Sequence, residues 1–245
     1  MNKIAIITGG SKGIGEALVN VYGKNGYKVY SLSRTLDRGN AETNIYEVRV
    51  DLNDANATSG TLDFIFKDIG DIDIGKIVLI NNAGTLGNIG PLEKSNLSQI
   101  QSVINVNFTA AAILCAKFIE KAQKLNAEKS IVNISSGAAT RAYFGWSLYC
   151  STKAAIEMLT QCIAKEQNEK TNGVKCIAII PGVVDTAMQT EVRQSSPEDF
   201  TSHQRFMDLK ENNLLSDPAT VAVKIFAADQ DQTIHSGEIV SVREN

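Results

Sequence analysis

Basic residues never gather in this chain. No run of Lys or Arg exceeds an isolated pair and the formal net charge is −3, so there is no positive field for a nucleic-acid backbone and no nucleic-acid partner is expected. Cysteine is also scarce. The four present, Cys115, Cys150, Cys162 and Cys176, form no C-x-x-C pair and no metal-ligand spacing, which argues against a disulfide frame or a metal site and for reduced thiols in a cytoplasmic protein. The apolar run Ile4-Ala5-Ile6-Ile7 behind Met1-Asn2-Lys3 is too short for a secretory signal core. No segment is expected to stay apolar over the length that spans a bilayer, so no membrane partner is expected. With no linker and no repeat, residues 1–245 read as a single domain able to bury a full core.

What is present is an alternation of short apolar runs with longer helix-period stretches, the pattern of β-α-β units feeding a parallel sheet covered on both faces. Strands are expected at Lys3–Thr8, Lys28–Ser33, Ile45–Asp51, Lys76–Asn81, Ser130–Ser135, Val174–Ile180 and Glu238–Val242. Helices fit at Ile14–Lys24, Ala55–Ile69, Ser98–Leu125, Leu148–Lys170 and Pro218–Asp229. Together they predict an α/β fold, a Rossmann-type doubly wound seven-stranded parallel sheet with helices on both faces. Between Thr186 and Ser216 about thirty residues of mixed polarity break the rhythm; this insertion is expected to form one or two short helices over a substrate cleft.

Two motifs carry chemistry. Thr8-Gly9-Gly10-Ser11-Lys12-Gly13-Ile14-Gly15 ends the first strand and opens the first helix, where a dinucleotide phosphate site belongs. Gly9 permits the turn, Gly13 admits the pyrophosphate, Gly15 lets helix and strand pack closely, and the helix N-terminus offers its amides. After the second strand stands Arg34, with Lys12 nearby and no Asp or Glu between Tyr30 and Leu36. A guanidinium there suits the 2′-phosphate of NADPH better than the ribose diol of NADH, although a solvent-facing strand-end charge is the plainer reading. The second motif is Tyr149-Cys150-Ser151-Thr152-Lys153. Residues four apart share a helix face, and the lysine ammonium is expected to lower the phenol's pKa toward a range useful for proton transfer.

These residues, with Asn81-Asn82-Ala83-Gly84 and Pro181-Gly182, resemble the short-chain dehydrogenase/reductase family over nearly the whole chain. The resemblance implies a catalytic set of Asn107, Ser136, Tyr149 and Lys153. Ser135 is the alternative to Ser136, and neighbouring strand residues face opposite ways, so only one enters the cleft; spacing to Tyr149 favours Ser136. Asn105 competes with Asn107, and alignment favours the latter. Cofactor contacts are implied for Gly9, Ser11, Lys12, Gly13, Ile14, Gly15, Arg34, Asp51, Leu52, Asn82, Ala83, Gly84, Tyr149, Lys153, Pro181, Gly182, Val184 and Thr186, with Asp51 equally readable as a turn residue. Asp185, His203 and His235 receive no catalytic role.

Within the family, the segments Tyr143–Cys150 and Pro181–Gln189 resemble the sepiapterin reductase branch and its bacterial relatives that reduce benzil. In that reading Phe144, Trp146 and Met188 wall an apolar pocket for an aryl ketone, though Trp146 also reads as a core aromatic. The carboxylate that holds a pterin in sepiapterin reductases aligns with Ser241, so a diketone or general carbonyl reductase is expected ahead of a pterin reductase. A cofactor-binding redox sensor without turnover is the reading from another class. The family further implies a homodimer, with a tetramer as the alternative, assembled through the long helices.

Overall fold

The structure, a computed structural model, describes residues 1–36 and 43–243. Seven strands form one parallel sheet: β1 (Asn2–Thr8), β2 (Tyr27–Ser33), β3 (Ile45–Arg49), β4 (Ile74–Asn81), β5 (Glu128–Ile134), β6 (Lys175–Ile180) and β7 (Ile239–Ser241). Their order is β3-β2-β1-β4-β5-β6-β7. The apolar runs are continuous because both faces are covered, and the period of two sorts each strand's residues between the layers. Ile4, Ile6, Ile77, Leu79, Ile131 and Cys176 face one layer, while Ala5, Ile7, Val78, Ile80, Val132, Ile177 and Ile179 face the other.

The first layer is closed by α2 (Ala55–Ile69), α4 (Ala110–Ala122) and α5 (Ser147–Asn168), and the second by α1 (Gly13–Lys24) and α8 (Pro218–Gln230). Local signals start these helices where the sequence says they should. Asp54 accepts from the Asn56 and Ala57 amides at the head of α2, and Asp217 accepts from Thr220 N ahead of Pro218, whose missing N–H costs nothing at that position. Side chains such as Leu18, Leu62 and Phe118 are fully buried, each contributing about 1.5–3 kcal/mol of apolar burial.

Most boundaries lie within one or two residues of the sequence reading, and three of the differences bear on the site. β3 stops at Arg49 and β5 at Ile134, so Asp51 and Ser135 lie in the turns beyond them. The long central helix starts as α3 (Leu97–Ile104), capped by Asn96 and Gln99 reciprocally, and reaches α4 through a π-helical turn at Asn105–Thr109. The complete helical run Leu97–Ala122 is 26 residues long and apolar enough to cross a bilayer by length and composition, contrary to expectation. Here Leu114, Cys115, Phe118 and Ala122 pack that run into the core instead.

The insertion forms two helices, α6 (Ala187–Gln194) and α7 (His203–Glu211), as expected. Its base is pinned: Asp185 N donates to Ser216 O and Ser216 N to Val183 O, both at 2.9 Å, and Lys210 pairs with Asp185 at 2.7 Å.

Candidate active site

Strand order reverses between β1 and β4, and the register aligns the carboxyl ends of four strands at that switch point, where open α/β sheets bind ligands. Thr8 neighbours Leu32, Asn81 neighbours Asn133, and Ser135 N donates to Ile179 O at 2.8 Å. The Gly9 turn, Asn82–Gly84, Ser135–Ser136 and Pro181–Gly182 therefore stand side by side.

The glycine turn is clasped from behind. The Thr8 hydroxyl accepts from the Asn82 and Ala83 amides at 3.0 Å each, and Asn82 Nδ2 donates to Thr8 O at 2.9 Å and Gly9 O at 3.4 Å. Gly9 and Gly13 adopt φ of 69° and 58°, the left-handed region that suits glycine. A Cβ on Gly15 would lie 2.1 Å from Gly9 O and 2.5 Å from Asn82 Nδ2, so only glycine allows the α1 terminus to approach β1 this closely. No side chain caps the first turn of α1, which leaves its amides for an anion. These features fit a dinucleotide pyrophosphate. Lys12 and Arg34 are both exposed, and Gly9 N donates to Leu32 O at 2.8 Å, which sets the end of β2, and so Arg34, beside the glycine turn. Asp51 is exposed and accepts from Asn53 N at 3.0 Å; it makes the turn contact and keeps a free carboxylate oxygen edge toward solvent.

The polar set assembles beside this cradle. Tyr149 and Lys153 sit one turn apart on the buried face of α5, 8 % and 5 % exposed. Ser136 extends from the end of β5; its hydroxyl accepts from Ala138 N at 3.2 Å and lies close enough to the Tyr149 phenol to act on its titration. Ser135 points away, donating to the buried Glu157 at 2.7 Å, so the structure separates the two serines as spacing suggested. Asn107 sits in the π-helical turn. Its Oδ1 accepts from Thr85 N and its Nδ2 donates to Thr85 O, both at 2.8 Å, with Thr152 Oγ1 a further acceptor at 3.1 Å. Asn105 instead donates to Asn53 on the surface. A Cβ built on Gly84 would lie 3.6 Å from both Asn107 Oδ1 and Lys153 Nζ, so these two groups converge on one point.

Electrostatics correct one sequence expectation. The Tyr149 phenol is raised above its ordinary value by burial, with the Ser136 hydrogen bond pulling it partly back. Lys153 does not lower it: Nζ lies 5.8 Å from the ring centroid and donates to Ile134 O at 2.8 Å. Burial instead pulls the ammonium itself down to about 8. At neutral pH the site thus presents a protonated phenol, a proton donor held against a serine hydroxyl.

Above Tyr149 lies an apolar cluster of Leu86, Ala138, Trp146, Val192, Phe200 and Phe206, joined at its edge by Tyr143, Val183 and Met188. Trp146 stacks on Phe200 with centroids 4.5 Å apart and meets Tyr149 edge-on at 5.5 Å. Trp146 and Met188 both pack in this cluster with Tyr149, and Trp146 is at the same time a core aromatic. Phe144 does not join: it is 51 % exposed and outside the cluster, while its neighbour Tyr143 packs against Phe200 and Phe206. Sequence reasoning missed Thr85, Thr152 and Glu157, which hold Asn107 and Ser135, and the rings Phe200 and Phe206. Only the apolar character of the last two, inside a polar insertion, was a signal.

Residues 3–197 match the family model described as short chain dehydrogenase. The chain is 37% identical over 251 residues to a benzil reductase ((S)-benzoin forming) of Bacillus cereus, covering 99% of this chain and 100% of the relative. It is 34% identical over 165 residues to the sepiapterin reductase of Mus musculus, covering 66% and 61%. Among solved structures, ElxO with NADP bound superposes with a TM-score of 0.80 at 28% identity, covering 99% of this chain and 98% of that one.

Proposed function

Because the chain belongs to the short-chain dehydrogenase family, an oxidoreductase family that works with a nicotinamide cofactor, we propose that it is an NADPH-dependent carbonyl reductase acting on aromatic ketones or 1,2-diketones of the benzil type. The observation that carries this reading is the convergence of Ser136, Tyr149, Lys153 and Asn107 beside the glycine cradle, beneath an apolar aromatic cluster. The full-length likeness to a benzil reductase supports the substrate class, and Arg34 with Lys12 supports NADPH.

When bound, the reduced nicotinamide supplies the hydride; the remaining work falls to side chains. Ser136 holds the carbonyl oxygen where negative charge develops. As the carbonyl carbon gains hydride, the C=O π pair moves onto oxygen and takes the Tyr149 proton. The phenolate is then reprotonated from solvent, with Asn107 supporting the route for water, while Lys153 would hold the nicotinamide ribose. Gly9, Ser11, Gly13, Ile14 and Gly15 hold the pyrophosphate, Asp51 and Leu52 border the adenine, and Asn82, Ala83 and Gly84 line the cofactor's path. Pro181, Gly182, Val184 and Thr186 flank the nicotinamide. Met188 and Trp146 shape the substrate cleft.

A pterin substrate is disfavoured because Ser241 lacks the anchoring carboxylate and the Glu238 carboxylate already accepts from His235 N at 3.1 Å. The free cysteines support a cytoplasmic setting, and the exposed Leu97, Ile104 and Met158 on α3 and α5 support a homodimer through those helices, to be checked by mass in solution. The central test is Tyr149→Phe. Cofactor affinity should persist while carbonyl reduction drops by about 10² or more; undiminished turnover would remove Tyr149 as the acid.

A further inference from the structure

Among the described residues five buried side-chain polar atoms have no hydrogen-bond partner, and three lie in the aromatic cluster packed on Tyr149 or on the helix α6 beside it: Trp146 Nε1, Gln189 Oε1 and Arg193 Nη1. Trp146 is 6 % exposed, and an indole N–H can only donate. Its surroundings are rings: Phe200 and Phe206 offer no acceptor, and neither Tyr143, which accepts from Arg205 at 2.8 Å, nor Tyr149 accepts from it. Helix α6 packs Met188 and Val192 on this cluster, while its Gln189 and Arg193, one turn apart, each leave an atom unmatched. An unpartnered buried donor edge-on to a proton-donating phenol calls for an explanation.

We propose that Trp146 Nε1–H is the specificity-determining donor for a second substrate oxygen, vicinal to the carbonyl that is reduced, so that the site selects 1,2-dicarbonyls over monoketones of the same shape. The proposal rests on the carbonyl-reductase reading and adds which carbonyls are chosen. Tyr149 and Ser136 take one oxygen. Trp146, three residues earlier at the head of the same helix and edge-on to the Tyr149 ring, takes the other as the substrate displaces the apolar cover provided by α6. Hydrogen bonding to the second oxygen also draws electrons from the carbonyl under attack.

The test compares kcat/KM for benzil and for deoxybenzoin, which replaces the second C=O by CH2, in the wild type and in Trp146→Phe, which keeps a ring to stack on Phe200. The benzil-to-deoxybenzoin ratio should fall by about tenfold or more in the variant, since a site built to hydrogen-bond a group discriminates strongly against its absence. An equal loss on both compounds would reduce Trp146 to packing and leave the reductase reading intact. A wild type that reduces monoketones but not benzil would overturn the proposal alone, whereas one that reduces neither while binding cofactor would overturn the reductase reading with it. A measurement free of turnover and of the variant's folding uses the fact that Trp146 is the sole tryptophan. Its fluorescence in wild-type protein loaded with NADP+ should report a Kd for benzil about tenfold below that for deoxybenzoin; equal values would contradict the donor.

Discussion

Replacing Gly15 by alanine should damage cofactor binding in a way the same change elsewhere does not. The added Cβ would stand 2.1 Å from Gly9 O, 2.8 Å from Gly9 C and 2.5 Å from Asn82 Nδ2, and the first two are backbone that no rotamer can move. Either α1 retreats from β1 or the Gly9 turn rotates, and both loosen the Asn82 bonds to Thr8 O and Gly9 O. Such overpacking costs about 1–3 kcal/mol, or about 2–4 °C of Tm per kcal/mol at this size. Because the displaced atoms form the pyrophosphate cradle, cofactor Kd should rise at least about tenfold, the equivalent of about 1.4 kcal/mol. Gly60 is the control: it lies inside α2 with nothing within 4 Å of its would-be Cβ, so Gly60→Ala should stabilise by about 0.5–1 kcal/mol through the unfolded chain's lost freedom. Calorimetric melting and titration with NADPH read both. The reasoning fails if Gly15→Ala binds and melts like the wild type, or if the two variants move together.

Arg34→Asp should weaken NADPH binding sharply and improve NADH, because a carboxylate repels the 2′-phosphate and accepts from the ribose diol; unchanged NADPH affinity in a titration would return Arg34 to a solvent-facing charge. For Lys153 the sign follows from its pKa of about 8 in the fold against about 10.4 in the unfolded chain. Between those values the unfolded chain binds more protons, so stability contributed at this site is lowest at neutral pH and rises as pH climbs. Lys153→Met should therefore exceed the wild type in urea resistance at pH 7.5, and the gap should shrink by pH 10; a constant gap would mean that burial does not depress Lys153.

The sequence carried the fold because its signals were local. Continuous apolar strands and the glycine turn at a strand-helix junction each determine structure within a few residues. Tyr149 and Lys153 were legible as a pair for the same reason, since residues four apart share a helix face, while Ser136 needed the family resemblance, because β5 ends at Ile134 and strand alternation no longer fixes its side chain. Asn107 needed the resemblance as well, because its position depends on a π-helical turn that shifts register by one residue and that no periodicity announces. What stayed hidden depends on contacts made at long range. The Lys153 ammonium is turned to Ile134 O rather than to the phenol, so burial and not charge sets the Tyr149 proton. Phe144 and Tyr143 are adjacent aromatics, and only the docking of Phe200 and Phe206 from the insertion decides which faces in. The long central helix was legible as one run, but the π-helical turn at Asn105–Thr109 that divides it was not.

The account's central claim is tested most directly by initial rates of NADPH and, separately, NADH oxidation by the purified protein with benzil, set against a 3-ketoacyl thioester. Benzil-dependent oxidation that prefers NADPH is the predicted result. Tight NADPH binding with no oxidation on any carbonyl offered would contradict it and leave a protein that senses the cofactor without turning it over.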